Sequence, residues 1–392
     1  MKFNIVTENF AGYLSNLGTR GEIFGGAEII LYDLCKLMQR HGHRVTVIQY
    51  GSKHREFEYD GIPVRQVKAP SFRVVNKLGI TRRFHGGGFF WKGHLDNDVD
   101  RVHFHYYYLG YPYGDESMTG FSHGIDWDCP WYKHSYTYRN LRDRFSFWMM
   151  QKITGKALTR LKKVVANDTH FLRYVSSAYP DYVGKVDVVP NYADTSIFHP
   201  ATTPDAAVME RYGDKIRVLL PKMPAYERGT DIAIRSMALL RREDIVLLVV
   251  GESASRSLFE KMARDYNVHH QVAFLGHRDH FSQMPGMFAA ADIVVVPSPC
   301  REATALSVLE GMAMGKPVIA TNIGGIPDII ADDAVGILIK PSDEDLAESI
   351  AHLADNPKQR GKLGQRACTH IISHFTKQHW EERISRALDV SS

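Results

Sequence analysis

The chain has 392 residues, 44% of them hydrophobic and 23% charged, with 31 glycines and 17 prolines. This is the make-up of a globular protein, and at about 150 residues per domain it predicts two or three domains. It excludes a disordered, collagen-like or coiled-coil chain. It also excludes a disulfide scaffold, because Cys35, Cys129, Cys300 and Cys368 lie far apart with no Cys-x-x-Cys pair. Net charge is +4, but residues 1–193 carry 26 Lys and Arg against 18 Asp and Glu, and the remainder 22 against 26. A basic front half and a mildly acidic back half imply different partners for each.

The longest aliphatic run, Ile245–Val250, is six residues, against about 20 for a membrane-crossing helix. The first residues meet an acid at Glu8, too early for a secretory signal. The expected setting is cytoplasmic and reducing.

In chain order, β-branched runs predict strands at Phe3–Thr7, Arg44–Gln49, Val102–His105, Gly120–His123, Val164–Ala166 and Val186–Val189. A second series follows at Arg217–Leu220, Ile245–Val250, Val272–Leu275, Ile293–Val296, Pro317–Ala320 and Gly336–Ile339. Helical patterns such as Ala27–Arg40, Asp231–Leu240 and Ala305–Met314 lie between them. Alternation of this kind builds parallel sheets covered by helices. Seen twice, it predicts an α/β protein of two Rossmann-like, doubly wound domains facing across a cleft. Their expected bounds are 1–193 and 194–375, with the joint in Pro190–Asp194, where Pro and Asn break the pattern. A last helix, Thr376–Leu388, could pack on either domain.

Aromatic residues are concentrated: 20 of the 43 fall between Phe72 and Trp148. They are either an elaborated core or a wall for a sugar or lipid. A helix predicted from Arg139 carries Leu141, Phe145, Trp148, Met149, Ile153, Ala157 and Leu161 as its apolar stripe, with Lys152, Lys156 and Arg160 in a row beside it. That row is either a solvated edge or an attraction for an anionic membrane surface through residues 139–163.

The richest local signal is Pro297-Ser298-Pro299-Cys300-Arg301-Glu302, leading through Ala305 and Leu306 to Glu310. A strand ends, a short loop carries Glu302, and a helix opens near Ala305. This places Glu302 where open α/β sheets bind ligands, with unpaired backbone N–H groups at the helix start that suit an anion such as a diphosphate. Glu302 and Glu310 are too far apart to stack on one helix face, so each would grip a different part of one extended ligand.

With its sequel Gly315-Lys316-Pro317-Val318 and Gly324-Gly325-Ile326-Pro327-Asp328, this block resembles the donor-binding core of glycosyltransferase family 4, the retaining enzymes of the twin-Rossmann GT-B fold. Gly25-Gly26-Ala27-Glu28, Gly42-His43, Ser122-His123-Gly124, Pro190-Asn191 and Arg228-Gly229-Thr230-Asp231 follow that family's order. Lys53–Gly120 matches nothing specific. The resemblance implies a nucleotide-sugar donor, most readily a UDP-hexose, held by the second domain, and transfer with retention. It implies that Glu302 holds sugar hydroxyls, Glu310 the ribose, and His123 a place beside the anomeric centre. It further implies that the amides of Ala305 and Leu306, with Gly25 and Gly26, cradle the diphosphate, and that no metal or other cofactor is needed. Lys222 and Arg228 would be the fixed cations, with the two residue types reversed relative to the usual order. Ala305 also stands where a glycine is usual.

Asp126 and Asp128 are candidates to touch the acceptor, a glycan or lipid-linked sugar, or else are turn acids. His103 and His105 alternate on a strand, a pairing that lacks the further ligands of a metal site. His277 and His280 read as surface loop. A nucleotide-sugar epimerase of the same fold and a non-catalytic sugar-nucleotide sensor are the rival functions. A nicotinamide enzyme would need a Gly-x-Gly-x-x-Gly turn that the chain lacks, and no nucleic-acid-binding module is present.

Overall fold

The computed structural model describes residues 1–11, 25–51, 53–68, 91–111, 114–125, 141–300 and 302–390. The chain forms two compact units. One takes its described residues from 1–125, 141–189 and 381–390, and the other runs from Pro190 to Trp380.

The first unit is built on strands β1 (Lys2–Thr7), β2 (Arg44–Gly51), β3 (Arg55–Tyr59), β4 (Ile62–Lys68), β5 (Arg101–Phe104), β6 (Thr119–Ser122), β7 (Lys163–Ala166) and β8 (Val186–Val188). They form one sheet in the order β3-β4-β2-β1-β5-β6-β7-β8. All neighbours are parallel except β3 and β4. The sequence reading missed this hairpin. Its turn is Asp60-Gly61, with φ of 47° and 74°, a two-residue connection whose positive φ values suit Asp-Gly.

The first helix, α1 (Gly26–Arg40), follows β1 and buries Ile30, Leu31, Leu34, Leu37 and Met38 against the sheet. The second, α2 (Leu141–Arg160), buries Met150, Ile153, Ala157 and Leu158. Here the expected apolar stripe needs correction. Trp148 is 50% exposed because it belongs to the same four-residue row as Lys152, Lys156 and Arg160, all exposed.

The second unit has strands β9 (Ile216–Leu220), β10 (Ile245–Val250), β11 (Val272–Gly276), β12 (Ile293–Val296), β13 (Val318–Thr321) and β14 (Ile337–Ile339). They are ordered β11-β10-β9-β12-β13-β14 and all parallel. β10 and β12 are buried at every position, as strands covered on both faces must be. Two further helices shape the site, α3 (Thr230–Leu240) after β9 and α4 (Leu306–Ala313) after β12.

From Glu381 onward the C-terminal helix α5 (Lys377–Leu388) belongs to the first unit. Arg40 pairs there with Glu381. Arg101 donates to the carbonyl of Leu388 at 2.9 Å, and the His43 ring meets the carbonyl of Val390 at 3.1 Å.

Candidate functional site

In a doubly wound sheet, ligands bind at the strand ends where the order reverses. In the second unit this point lies between β9 and β12, which are neighbours. Lys222 follows β9, Arg228 sits in the short turn before α3, and Glu302 lies between β12 and α4.

These three side chains meet. One oxygen of Glu302, Oε1, accepts from Lys222 Nζ at 2.6 Å, Arg228 Nη1 at 2.8 Å and Ser298 Oγ at 2.7 Å. Burial works to raise the Glu302 pKa, but the two cations outweigh it and the carboxyl sits below its ordinary value. Burial lowers the ammonium of Lys222, with Glu302 opposing.

The loop is braced by backbone. A Cβ on Gly324, whose φ is 58°, would stand 1.8 Å from the Glu302 carbonyl oxygen, so only glycine permits this approach. The Gly325 amide then donates to that same carbonyl at 3.1 Å. From the other side the Asn191 amide side chain donates to the Thr304 carbonyl at 2.7 Å. The Pro190-Asn191 and Gly324-Gly325 blocks thus both serve to hold the Glu302 loop.

Helix α4 opens at Ala305, whose side chain offers no cap, and its first backbone bond is made by Val308 to the Ala305 carbonyl at 3.0 Å. Such a start presents N–H groups to an anion. Ser307 Oγ is buried there without a protein partner, a polar atom the sequence reading did not single out. Glu310, one turn on, is buried and among the described residues has no Lys or Arg in an ion pair with it. His280 Nε2 approaches its Oε1 at 3.7 Å, and burial raises its pKa although His280 and Lys222 oppose the shift. His280 therefore faces Glu310 rather than standing apart on the surface. It packs on Phe198 with ring centroids 5.3 Å apart, a contact across more than 80 residues that no local pattern announces.

In the first unit the switch point lies between β1 and β5. Gly25 and Gly26 begin α1 without a side-chain cap, and Glu28 in its first turn is raised by burial. His123 directly follows β6 and stacks on Phe121 at 4.8 Å. Its Nε2 lies 3.0 Å from Nε2 of His105, which also meets the Ala27 carbonyl at 2.8 Å. Burial holds the His123 ring well below the ordinary imidazole value and His105 down to about 4, so both are neutral at physiological pH. His103 points instead to Thr119, with Nδ1 and Oγ1 at 2.8 Å. Among the described residues no group of three or more His, Cys, Asp or Glu is arranged to hold a metal.

The aromatic-rich region is partly core. Trp91, Phe104, Tyr107 and Phe121 are buried, and Trp91 donates to the Leu109 carbonyl at 2.8 Å. Asp126 and Asp128 lie outside the described residues, as does most of the aromatic stretch before Trp91. Among the described residues no helix is long and apolar enough to cross a membrane.

Two largely parallel sheets of this order, each with its switch point, are the two Rossmann-like units of the GT-B fold. The comparisons agree. The family model Glycosyltransferase Family 4 matches residues 24–197, and Glycosyl transferases group 1 matches residues 205–370. The chain belongs to glycosyltransferase family 4. It is 25% identical over 376 residues to a D-inositol 3-phosphate glycosyltransferase of Corynebacterium aurimucosum, covering 88% of this chain and 86% of that one. It is 28% identical over 257 residues to a GDP-mannose-dependent monoacylated alpha-(1-6)-phosphatidylinositol monomannoside mannosyltransferase of Corynebacterium glutamicum, covering 62% and 66%. Among solved structures, a sucrose-phosphate synthase from Thermosynechococcus elongatus matches the whole of both chains with a TM-score of 0.77 at 18% identity. A glycosyltransferase from Rickettsia africae matches with 0.68 at 19%, covering 99% of this chain and 98% of that one. At these identities the solved structures show the fold.

Proposed function

We propose that this glycosyltransferase moves a hexose from a nucleoside-diphosphate sugar to an acceptor hydroxyl with retention at the anomeric carbon and without a metal. The observation that carries this reading is the convergence of Lys222, Arg228 and Ser298 on Glu302 at the switch point of the second sheet. Loss of a nucleoside diphosphate builds negative charge. Fixed donors aimed at developing charge are usually the largest catalytic contribution. In this reading Lys222 and Arg228 turn from Glu302 to the diphosphate, helped by the amides of Ala305 and Leu306, and Glu302 is left to hold sugar hydroxyls. Glu310 takes the ribose. From the first unit, Gly25 and Gly26 serve the diphosphate and His123 the transferred sugar. Asp126 and Asp128 are assigned to the acceptor, a glycan or lipid-linked sugar.

Thermal unfolding with UDP-, GDP-, ADP- and dTDP-sugars tests the donor site. UDP is the first expectation, and GDP is the nucleotide in the name of the mannosyltransferase relative. A ligand at about 100 times its dissociation constant adds about 2.7 kcal/mol to the folded state. The shift should appear with one nucleotide and vanish in Glu310→Ala. No shift with any of the four overturns the reading.

The exposed row Trp148, Lys152, Lys156 and Arg160 supports a peripheral attachment to anionic lipid, since an interfacial tryptophan beside lysines and arginine fits a charged headgroup layer. The expected outcome is sedimentation with anionic but not neutral vesicles at low salt. If anionic vesicles leave the protein in the supernatant, the row is a solvated edge.

A further inference from the structure

We propose that His105 is a positioning residue that locks His123 into a single tautomer, with its proton on Nδ1. The lock follows from which atoms can donate. The Ala27 carbonyl can only accept, and it lies 2.8 Å from His105 Nε2. A neutral imidazole carries one N–H, so on His105 that proton is at Nε2. Its Nδ1 is then a bare lone pair. This agrees with burial, because His105 Nδ1 is buried without a partner, a position that a lone pair tolerates better than an N–H. The Nε2 proton faces a second acceptor as well, His123 Nε2 at 3.0 Å. A proton on that atom of His123 would oppose the one on His105. His123 therefore accepts through Nε2 and bears its own proton on Nδ1.

Burial that keeps both rings neutral removes the doubly protonated alternative. Phe121, stacked on His123 with an interplanar angle of 26°, and Tyr106, with its ring centroid 5.2 Å away, hold the ring plane. The chemical consequence rests on the proposed transferase function. Whatever meets His123 at Nδ1 meets a donor, so the matching group is an acceptor oxygen, such as a sugar hydroxyl oxygen. His123 is not a general base at that atom. Ala27 stands one residue after Gly26, so the same histidine also ties the start of α1 to His123.

The test needs no ligand in its first part. Long-range proton–nitrogen spectra of the full chain labelled with 15N-histidine should show His123 with a protonated Nδ1 and a bare Nε2. His105→Phe keeps a ring of similar size but cannot donate. It should let the Nε2–H form of His123 appear and lower kcat on the order of 10²-fold, the scale of a misplaced catalytic group, with KM for the donor sugar little changed. His105→Gln restores an N–H near the lost one and should bring back both the Nδ1–H form and most of the turnover. An Nε2–H on wild-type His123, or an unchanged spectrum in folded His105→Phe, overturns the lock whatever the turnover. An Nδ1–H in the wild type that is lost in His105→Phe, together with no transfer from any donor, supports the lock and overturns the transferase reading.

Discussion

In the second unit burial falls on charges, and in the first it falls on imidazoles. Lys222 and Arg228, at 2.6 and 2.8 Å from Glu302, hold its carboxyl below the ordinary value in spite of burial. Among the described residues His105 and His123 have no such counter-ion, and burial lowers both imidazoles. The same penalty for burying charge is thus met by pairing in one unit and by neutralisation in the other. Glu302 and Glu310 repeat the contrast eight residues apart. Both are buried, yet cations within hydrogen-bond reach hold Glu302 below its ordinary value, while Glu310 without them is raised. One unit is therefore equipped to meet an anion, and the other to make directed, neutral hydrogen bonds.

The largest expected effect breaks the charged half of this contrast. In the proposed reading Arg228→Ala removes a donor that serves the leaving group, and losing one such donor typically costs about 10² to 10³ in rate, or about 2.7 to 4 kcal/mol. Lys222 and Ser298 still hold Glu302, so the variant should fold. Turnover near the wild-type level in a folded Arg228→Ala protein would remove Arg228 from the machinery. That result would make its ion pair a structural one.

A second measurement sharpens the comparison between the two glutamates. Glu310 has a folded pKa above its ordinary value of 4.5, so the native state prefers the protonated form. Its contribution to stability is complete below about pH 4.5 and is lost as pH rises through the raised value. Glu310→Gln keeps the shape of the neutral acid and does not titrate. Melting curves across pH should therefore coincide near pH 4 and separate toward pH 7, with the variant the more stable. The gain in stability comes with loss of the nucleotide-sugar shift, if the carboxylate is what grips the ribose. Parallel curves over that range would mean that Glu310 is not held in its raised state.

How much of this could be read from the sequence depends on the range of the interaction. Apart from β3 and β4, the described strands lie within a residue or two of their predicted places, because buried parallel strands are runs of Val, Ile and Leu such as Ile245–Val250. Local order also fixed the positions of Glu302 after β12 and His123 after β6. What joins Glu302 to Lys222 and Arg228, or Glu310 to His280, is contact across 30 to 80 residues, and periodicity carries no information about that. For His105 the alternation with His103 suggests only a metal ligand, since its partners are a backbone carbonyl, which leaves no trace in residue type, and a histidine 18 residues on. On α2 residue type points Trp148 to the core, but its spacing of four from Lys152, Lys156 and Arg160 puts it in the exposed basic row.

The β3–β4 hairpin is a different omission, because its signal was local and present. It is also the feature that sets the first sheet apart from the wholly parallel second one. Its turn needs two consecutive residues with positive φ, and Asp-Gly is among the strongest short sequences for that geometry. Asp60 is further held by Tyr32, whose hydroxyl donates to Oδ2 at 2.6 Å, and by an ion pair with Lys36 at 2.7 Å. Around Gly61 there is space, since an added Cβ would have only Lys36 Nζ near it, at 3.9 Å. Gly61→Ala thus isolates the cost of a left-handed conformation, about 1 to 2 kcal/mol, equivalent to a fall of roughly 2–4 °C per kcal/mol in the melting of a unit of this size. Gly61→Asn should lose less, because asparagine visits that region more readily. Neither change should alter the stabilisation given by a nucleotide sugar, which the reading above assigns to residues outside this hairpin. A loss of that stabilisation in Gly61→Ala would show that the hairpin of the first unit serves the donor site as well as closing the edge of its sheet.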